Sequence, residues 1–266
     1  MKKTLIALVV SVSTAMSGSV MAADGSWSDA VNDFELSGSI TVDAAKNIWE
    51  VYSGASGDLG GVNINSGEEQ AVFTASKAIP VLGIRSVEVF YGQQGITPQI
   101  NYGDNVVAMD SFEENKADFT LPVKDKVTNQ EVGVLKTKLY AAGYSSYKNH
   151  AEGVTYPGSR MGSVAKKAGD AFFGGVPQEV SKVSPIGDGL LAILDGIIPG
   201  VTEHFDNQGV SPTAPGVQKF DDKTRSYSAY YGAGIQAGEQ VTVTLNEAAT
   251  KDINWTAKLP ITVTYM

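Results

Sequence analysis

Two histidines, His150 and His204, and no cysteine are what this 266-residue chain offers for metal or thiol chemistry. A zinc or copper centre needs several imidazole or thiolate ligands, and neither histidine has a second one at ligand spacing. Both read as surface residues. A Ser-His-Asp set stays open on composition alone, but the Gly-x-Ser-x-Gly turn that presents a nucleophile in α/β-hydrolases is absent. The glycines of "GAGIQAG" (232–238) are wrongly spaced to cradle a dinucleotide, and strand-like sequence follows them, so the segment reads as a turn. The carboxylate pairs Glu68-Glu69 and Asp221-Asp222 lie in polar stretches and read as solvated. Asn254-Trp255-Thr256 spells a glycosylation triplet, yet Trp255 is a better candidate for a core. No constellation carries catalysis, and no cofactor or metal is implied.

The elements that would position any site begin after residue 22. "MKKTLIALVVSVSTAMSGSVMA" has a basic start, a short apolar run and small residues before Ala22, the pattern of a secretory signal. Its apolar part is too short for the roughly 20 residues that span a bilayer. Residues 1–22 are therefore expected to be a signal peptide. Lys2 and Lys3 belong to it, which leaves 18 basic against 29 acidic residues, a net of −11. Such a charge argues against nucleic acid or anionic lipid as a partner, since both require a positive surface. Export without cysteine means no disulfide staple, so the fold must rest on a core, a metal or a partner.

Period-two alternation marks most of the chain as strands. It is clearest over Asp33–Val42, where Phe34, Leu36, Gly38, Ile40 and Val42 share one face, and over the last eight residues, "LPITVTYM". Shorter strand signals lie at Lys46–Val51, Ala71–Ala75, Val87–Tyr91, "ITPQINYG" and "NVVAMDSF", with a break at Pro80. Phe119–Val123 and Val132–Tyr140 read as a hairpin around the polar turn Lys124–Glu131. From about Tyr144 to Arg225 alternation stops, and "GSVAKKAGDAFFGG" and "IGDGLLAILDGIIPG" space their apolar residues like short helices. The stretch 144–225 reads as an insert in a strand-rich chain. "YGAGIQAGEQ" marks a turn near the end.

The ordered segments "GSITVDAAKNIWEV", "AIPVLGIR", "GITPQI", "FTLPVKD", "VGVLKTK" and "YSAYYGAGIQAGEQVTVTLNEAATKDINWTAKLPITVTYM" resemble the subunits of kappa-class (Fae/Clp-type) chaperone–usher fimbriae, among them adhesive fimbrial proteins of enterotoxigenic Escherichia coli. The match runs over residues 1 to about 143 and about 226 to 266, and is poor over 144–225. The resemblance implies an all-β fold: an incomplete immunoglobulin-like β-sandwich completed by donor-strand exchange, with an inserted mixed loop and short-helix region. It implies a donor-strand arm at 23–37, a pilin domain at 38–266 and a variable insert at 144–225. Phe34, Leu36, Gly38 and Ile40 would form the donor face. Leu259, Ile261, Val263 and Tyr265 would border the groove that receives a chaperone strand and then a neighbour's arm. Tyr140, Tyr144, Tyr147 and Tyr156 would be candidates for a glycan-receptor surface. The implied partners are a periplasmic chaperone, an outer-membrane usher, neighbouring subunits and a host glycan; the implied destination is the cell-surface fimbrium.

Other readings compete. A minor pilus component without receptor binding shares the same arm and groove. An outer-membrane barrel also ends on an alternating aromatic strand, but the irregular strands and helical middle fit it poorly. A secreted hydrolase lacks its catalytic set, and a solitary sugar-binding module would need no spare strand at its start.

Overall fold

A computed structural model describes residues 47–54, 57–184 and 188–266. In chain order these form β1 (Trp49–Ser53), β2 (Gln70–Thr74), β3 (Ile79–Ser86), β4 (Phe90–Tyr91), β5 (Pro98–Asn101), β6 (Lys116–Asp125), β7 (Glu131–Asn149), β8 (Gly158–Gly162), α1 (Asp188–Ile197), β9 (Arg225–Ile235), β10 (Gln240–Leu245), β11 (Trp255–Ala257) and β12 (Thr262–Tyr265). Alternation in sequence becomes alternation in burial: in β2, Ala71 and Phe73 turn inward while Gln70, Val72 and Thr74 face water. β10 does the same with Val241, Val243 and Leu245.

The 19-residue β7 organises the fold. Its first half pairs with β6 on one edge and β10 on the other. Its second half, Tyr140–Asn149, pairs with β9, and Tyr144–Lys148 pairs with β8. The main ladder runs β1-β3-β9-β7-β10-β2, all antiparallel, and among the described residues it is open, ending at β1 and β2. β7 thus joins two sets of partners within one sheet, while β5 and β12 form a separate two-stranded sheet. The core is aromatic at one end, where Trp49, Phe90, Phe172, Phe220, Tyr227 and Tyr231 pack edge-to-face or stacked. The Trp49 Nε1–H donates to the Ile96 carbonyl at 2.7 Å. The Tyr102 and Tyr231 hydroxyls lie 2.6 Å apart, and burial pushes both phenols well above their ordinary pKa, so the pair stays neutral and structural.

Several expectations are corrected here. The hairpin of β6 and β7 is present, but β7 does not stop at Tyr140. From Leu139 to Ser146 it is buried on both faces, one by the core and one by α1, which abolishes alternation. Pro80 does not break β3; a register shift between Pro80 and Leu82 accommodates it. In "NVVAMDSF", Val107 makes an isolated bridge to Phe119 and Met109–Ser111 form a 3₁₀ turn instead of a strand. "GSVAKKAGDAFFGG" holds no helix. Its Val164, Ala165, Ala171 and Phe172 are fully buried, and Asp170 accepts the amides of Lys166 and Lys167 to fold the chain back on itself. "IGDGLLAILDGIIPG" does form α1. "YGAGI" is the end of β9, and the turn comes later, around Gly238 at φ +84°.

The glycines of β9 have a packing reason. Leu190, Leu194, Ile197 and Ile198 bury themselves against Tyr140, Ala142, Tyr144 and Tyr230 on the outer face of the sheet. A Cβ on Gly232 would lie 2.9 Å from Leu194, and one on Gly234 only 2.4 Å from Ile197. Bare backbone at both positions lets α1 settle directly on the strand. Asn115, buried at φ +66°, ties the segment before α1 down: its amide donates to the Lys182 carbonyl and its side-chain oxygen accepts the Ser184 amide at 2.7 Å. Arg85 ties down the segment after α1 by donating to the Gly200 carbonyl and to Glu203.

Candidate functional site: an open seam beside the C-terminal strand

Among the described residues β12 is paired on one edge only. Thr262, Val263, Thr264 and Tyr265 face Asn101, Ile100, Gln99 and Pro98 of β5. Just beyond, Thr97 and Met266 exchange both backbone hydrogen bonds, at 2.9 and 3.0 Å. In an antiparallel ladder such doubly bonded pairs alternate with unbonded ones. Thr264 and Thr262 therefore turn their N–H and C=O groups toward β5, and Val263 and Tyr265 turn theirs to the opposite edge. Among the described residues no strand pairs with that edge.

The side chains alternate in step. Ile253, Trp255, Ala257, Leu259, Ile261 and Val263 are partly buried against the core, while Asn254, Lys258, Pro260, Thr262 and Thr264 are exposed. Leu259 and Ile261 precede β12 in extended chain; Tyr265 breaks the pattern and is 42% exposed. A second lip faces this one. Ile48, Leu59 and Ile64 are also only partly buried against the same core. Trp49, bonded to Ile96 next to the Thr97–Met266 pair, brings the start of this lip to the end of β12. At the other end a cavity of about 510 Å³ is lined from both lips, by Ile64 and by Ile253 and Trp255, with Phe73 and Val243 as floor. The lips run in opposite directions, and among the described residues no strand fills the seam between them.

The donor-face residues Phe34, Leu36, Gly38 and Ile40 lie outside the described residues. Of the four tyrosines expected to offer sugar-stacking faces, two do not. Tyr140 and Tyr144 are 3% and 4% exposed beneath α1, because the helix needs their rings to complete its own apolar seat. Tyr147 is half-buried, with the Arg225 guanidinium 4.8 Å over its ring. Tyr156 stands free in the β7–β8 loop at 53% exposure.

The histidines are accounted for. His150 Nε2 is 2.8 Å from Ser226 Oγ, but that hydroxyl donates to Gln208 Oε1 and is buried. The imidazole must then be the donor to Ser226, the reverse of what a general base requires. His204 Nδ1 lies 3.7 Å from Glu50. Asp222 closes a turn: the Thr224 hydroxyl and amide hold its carboxyl below the usual carboxylate range. Among the described residues no group of acidic and histidine side chains is arranged to hold a metal.

Sequence reasoning missed a cleft of about 750 Å³ on the outer face of β1 and β3, closed off by the segment after α1. Glu50 faces Arg85 and Tyr52 faces Gly83 across the ladder, and Ile198 and Glu203 complete the wall. Its members come from three distant stretches, so no local motif announces it.

Comparison with known proteins identifies the family. The family model for fimbrial major and minor subunits matches residues 1–266. The F41 fimbrial protein of Escherichia coli is 30% identical over 286 aligned residues, covering all of both chains. The K88 fimbrial proteins AC and AD of Escherichia coli are 28% and 27% identical, again over the full length of both. The chain therefore belongs to the family of fimbrial major and minor subunits: it is a structural component of a surface fimbrium and not an enzyme.

Proposed function

We propose that this subunit polymerises by donor-strand exchange, accepting into its seam the segment around Phe34–Ile40 of a neighbouring copy. The observation that carries the proposal is the edge at Val263 and Tyr265, unpaired among the described residues, whose backbone groups point away from β5 beside partly buried side chains. A strand added there gains main-chain hydrogen bonds, and its alternate side chains enter apolar pockets. Phe34, Leu36 and Ile40 each contribute roughly 1.5–3 kcal/mol on burial. Gly38 suits a point where two backbones approach closely. Before assembly a periplasmic chaperone shields the same edge, which is otherwise an aggregation hazard, and an outer-membrane usher exchanges one strand for the other. Residues 1–22 direct export.

Chain length favours filling by another copy. A donor antiparallel to β12 begins at the Met266 end of the seam and finishes about 30 Å away, at roughly 3.3 Å per residue for Asp33–Val42. Residue 47 of the same chain is held at the Met266 end by Trp49. Residues 43–46 reach about 18 Å at most, at roughly 3.6 Å per residue, so a chain's own arm is too short to close its own seam in this sense. Deletion of residues 23–37 should leave subunits that are exported with the chaperone but form no fibres. Electron microscopy of cells expressing the subunit with its chaperone and usher reads the outcome, and normal fibres from the deletion refute the proposal.

The subunit also contributes to adhesion to host glycans through the surface built from the insert 144–225. The polarity of this region and the exposed Tyr156 support that role. The insert is not a detachable appendage, since its Phe172 and Phe220 are fully buried in the main core.

A further inference from the structure

We propose that successive copies in the fibre share a second contact. The tip of the β6–β7 hairpin of one copy docks into the cleft, between β1 and the segment after α1, of the copy that donates its strand. The inference rests on polymerisation by donor-strand exchange and adds to it a contact between the folded bodies.

Chain length brings the two surfaces together. A donor antiparallel to β12 leaves the seam beside β11, about 30 Å from the Met266 end. There β11 pairs with the last residues of β6, Trp255 facing Asp125 and Ala257 facing Val123. The Lys126 amide donates to the Asn254 carbonyl at 2.8 Å, which fixes the hairpin tip at this end of the seam. Between the donor segment and residue 47 stand only residues 43–46, which reach about 18 Å. Asn47 lines the cleft. The donor's cleft is thus tethered close to the hairpin tip of the copy that receives its strand.

The tip is held outward. Asp125 Oδ1 accepts the Val127 amide at 2.9 Å and the Thr128 amide and hydroxyl at 2.8 and 3.1 Å. Asn129, at φ +58°, donates its amide to the Asp125 carbonyl. The Asp125 carboxyl is therefore spent inside the turn, and Val127 stands 86% exposed. Lys124, Lys126, Lys251 and Lys258 flank the tip against Asp125, Glu131 and Asp252, a local balance of +1 on a chain of net negative charge.

The cleft is complementary in both respects. A Cβ on Gly83 would sit 3.2 Å from the Tyr52 Cβ and 3.3 Å from Ile198, so these residues form a bare apolar floor. Arg85 donates through Nε to Glu50 Oε2 at 2.8 Å and through Nη1 to Glu203 Oε2 at 3.0 Å. Among the described residues the second oxygen of each carboxylate has no hydrogen-bond partner. Two carboxylates against one guanidinium leave the cleft at −1. Its volume of about 750 Å³ takes a turn, with Val127 on the floor and the neighbouring Lys126 ammonium toward the carboxylates. Such charge-assisted bonds are stronger than neutral ones. Tip and cleft are different surfaces, so each copy offers one of each and the contact repeats along a fibre without closing.

The absence of cysteine gives a clean test. Fibres carrying Val127→Cys with Asn47→Cys, or Val127→Cys with Tyr52→Cys, are treated with a short bis-maleimide, which tolerates more separation than a disulfide. Both pairs should give a ladder of covalent multimers on a denaturing gel. The single variants, and Val127→Cys with Val72→Cys on the far strand β2, should give none. Lys126→Glu should slow cross-linking about tenfold by setting like charges face to face, and adding Glu203→Lys should restore it. A second readout needs no cysteine. Under fixed sonication Lys126→Glu fibres should break into pieces about twofold or more shorter in electron micrographs, and the Lys126→Glu, Glu203→Lys double variant should recover the length. Fibres that form normally but give no ladder with either cleft pair, or break to equal lengths with and without Lys126→Glu, overturn this contact and leave polymerisation standing.

Discussion

Val263→Asp should abolish fibres, with surface pilus reduced at least about 100-fold in shed-fibre immunoblots. Val263 pairs with Ile100 of β5, and its side chain rests partly buried on the core at the lip of the seam. The substitution removes roughly 1.5–3 kcal/mol of apolar burial. It also places a carboxylate where the incoming strand would strip it of water, at a further cost of several kcal/mol. Together these exceed the roughly 2.8 kcal/mol that a 100-fold change represents. Thr264→Asp is the control. Its side chain is exposed on the other face, and its backbone is already paired with Gln99, so fibres should form at near-normal levels. Equal assembly by both variants would remove Val263 from the proposed contact.

The second large effect is on stability. Gly234→Val should lower the unfolding temperature of purified fibres by about 6–12 °C, as read by differential scanning calorimetry. The new Cβ would meet Ile197 at 2.4 Å and the Ile79 carbonyl at 2.6 Å. A side chain can rotate away, but that carbonyl belongs to the β3–β9 ladder, where Ile79 pairs with Ile235. Relief requires either lifting α1 or opening the ladder, and overpacking of this severity costs about 3 kcal/mol. For a domain of this size each kcal/mol shifts the midpoint by roughly 2–4 °C. Gly196→Ala should go the other way by a degree or two, because it lies within α1 with open space around it and alanine is the better helix former.

Where one face of a strand is wet, the fold was legible in the sequence. β2, β6 and β10 alternate in both residue type and burial, and the C-terminal stretch does so to Val263. Legibility failed where both faces are covered. All but the first of the 11 residues of β9 are buried, so glycine and tyrosine replace polar residues and the strand end reads as a turn. The same cause hid the second half of β7 and turned Tyr140 and Tyr144 into false surface candidates. The segment around Phe172 failed differently. Its apolar spacing resembles a helix, but Phe172 takes φ +62° and fills a gap among Trp49, Phe220 and Tyr231. Tertiary packing dictates that conformation, and no local pattern encodes it. Of the seam, the C-terminal lip was visible as alternation. The opposing lip was not, since Leu59 and Ile64 sit in glycine-rich loop sequence.

Amide hydrogen exchange at Val263 and Tyr265 tests the open seam most directly. It would be measured in the subunit lacking residues 23–37, with and without a synthetic peptide of residues 31–44. Both amides point away from β5, so they should exchange freely in the subunit alone and become protected when the peptide binds, while Thr264, bonded to β5, is protected throughout. Equal protection of Val263 and Tyr265 with and without the peptide would mean that the subunit closes this edge by itself, and the account would be wrong.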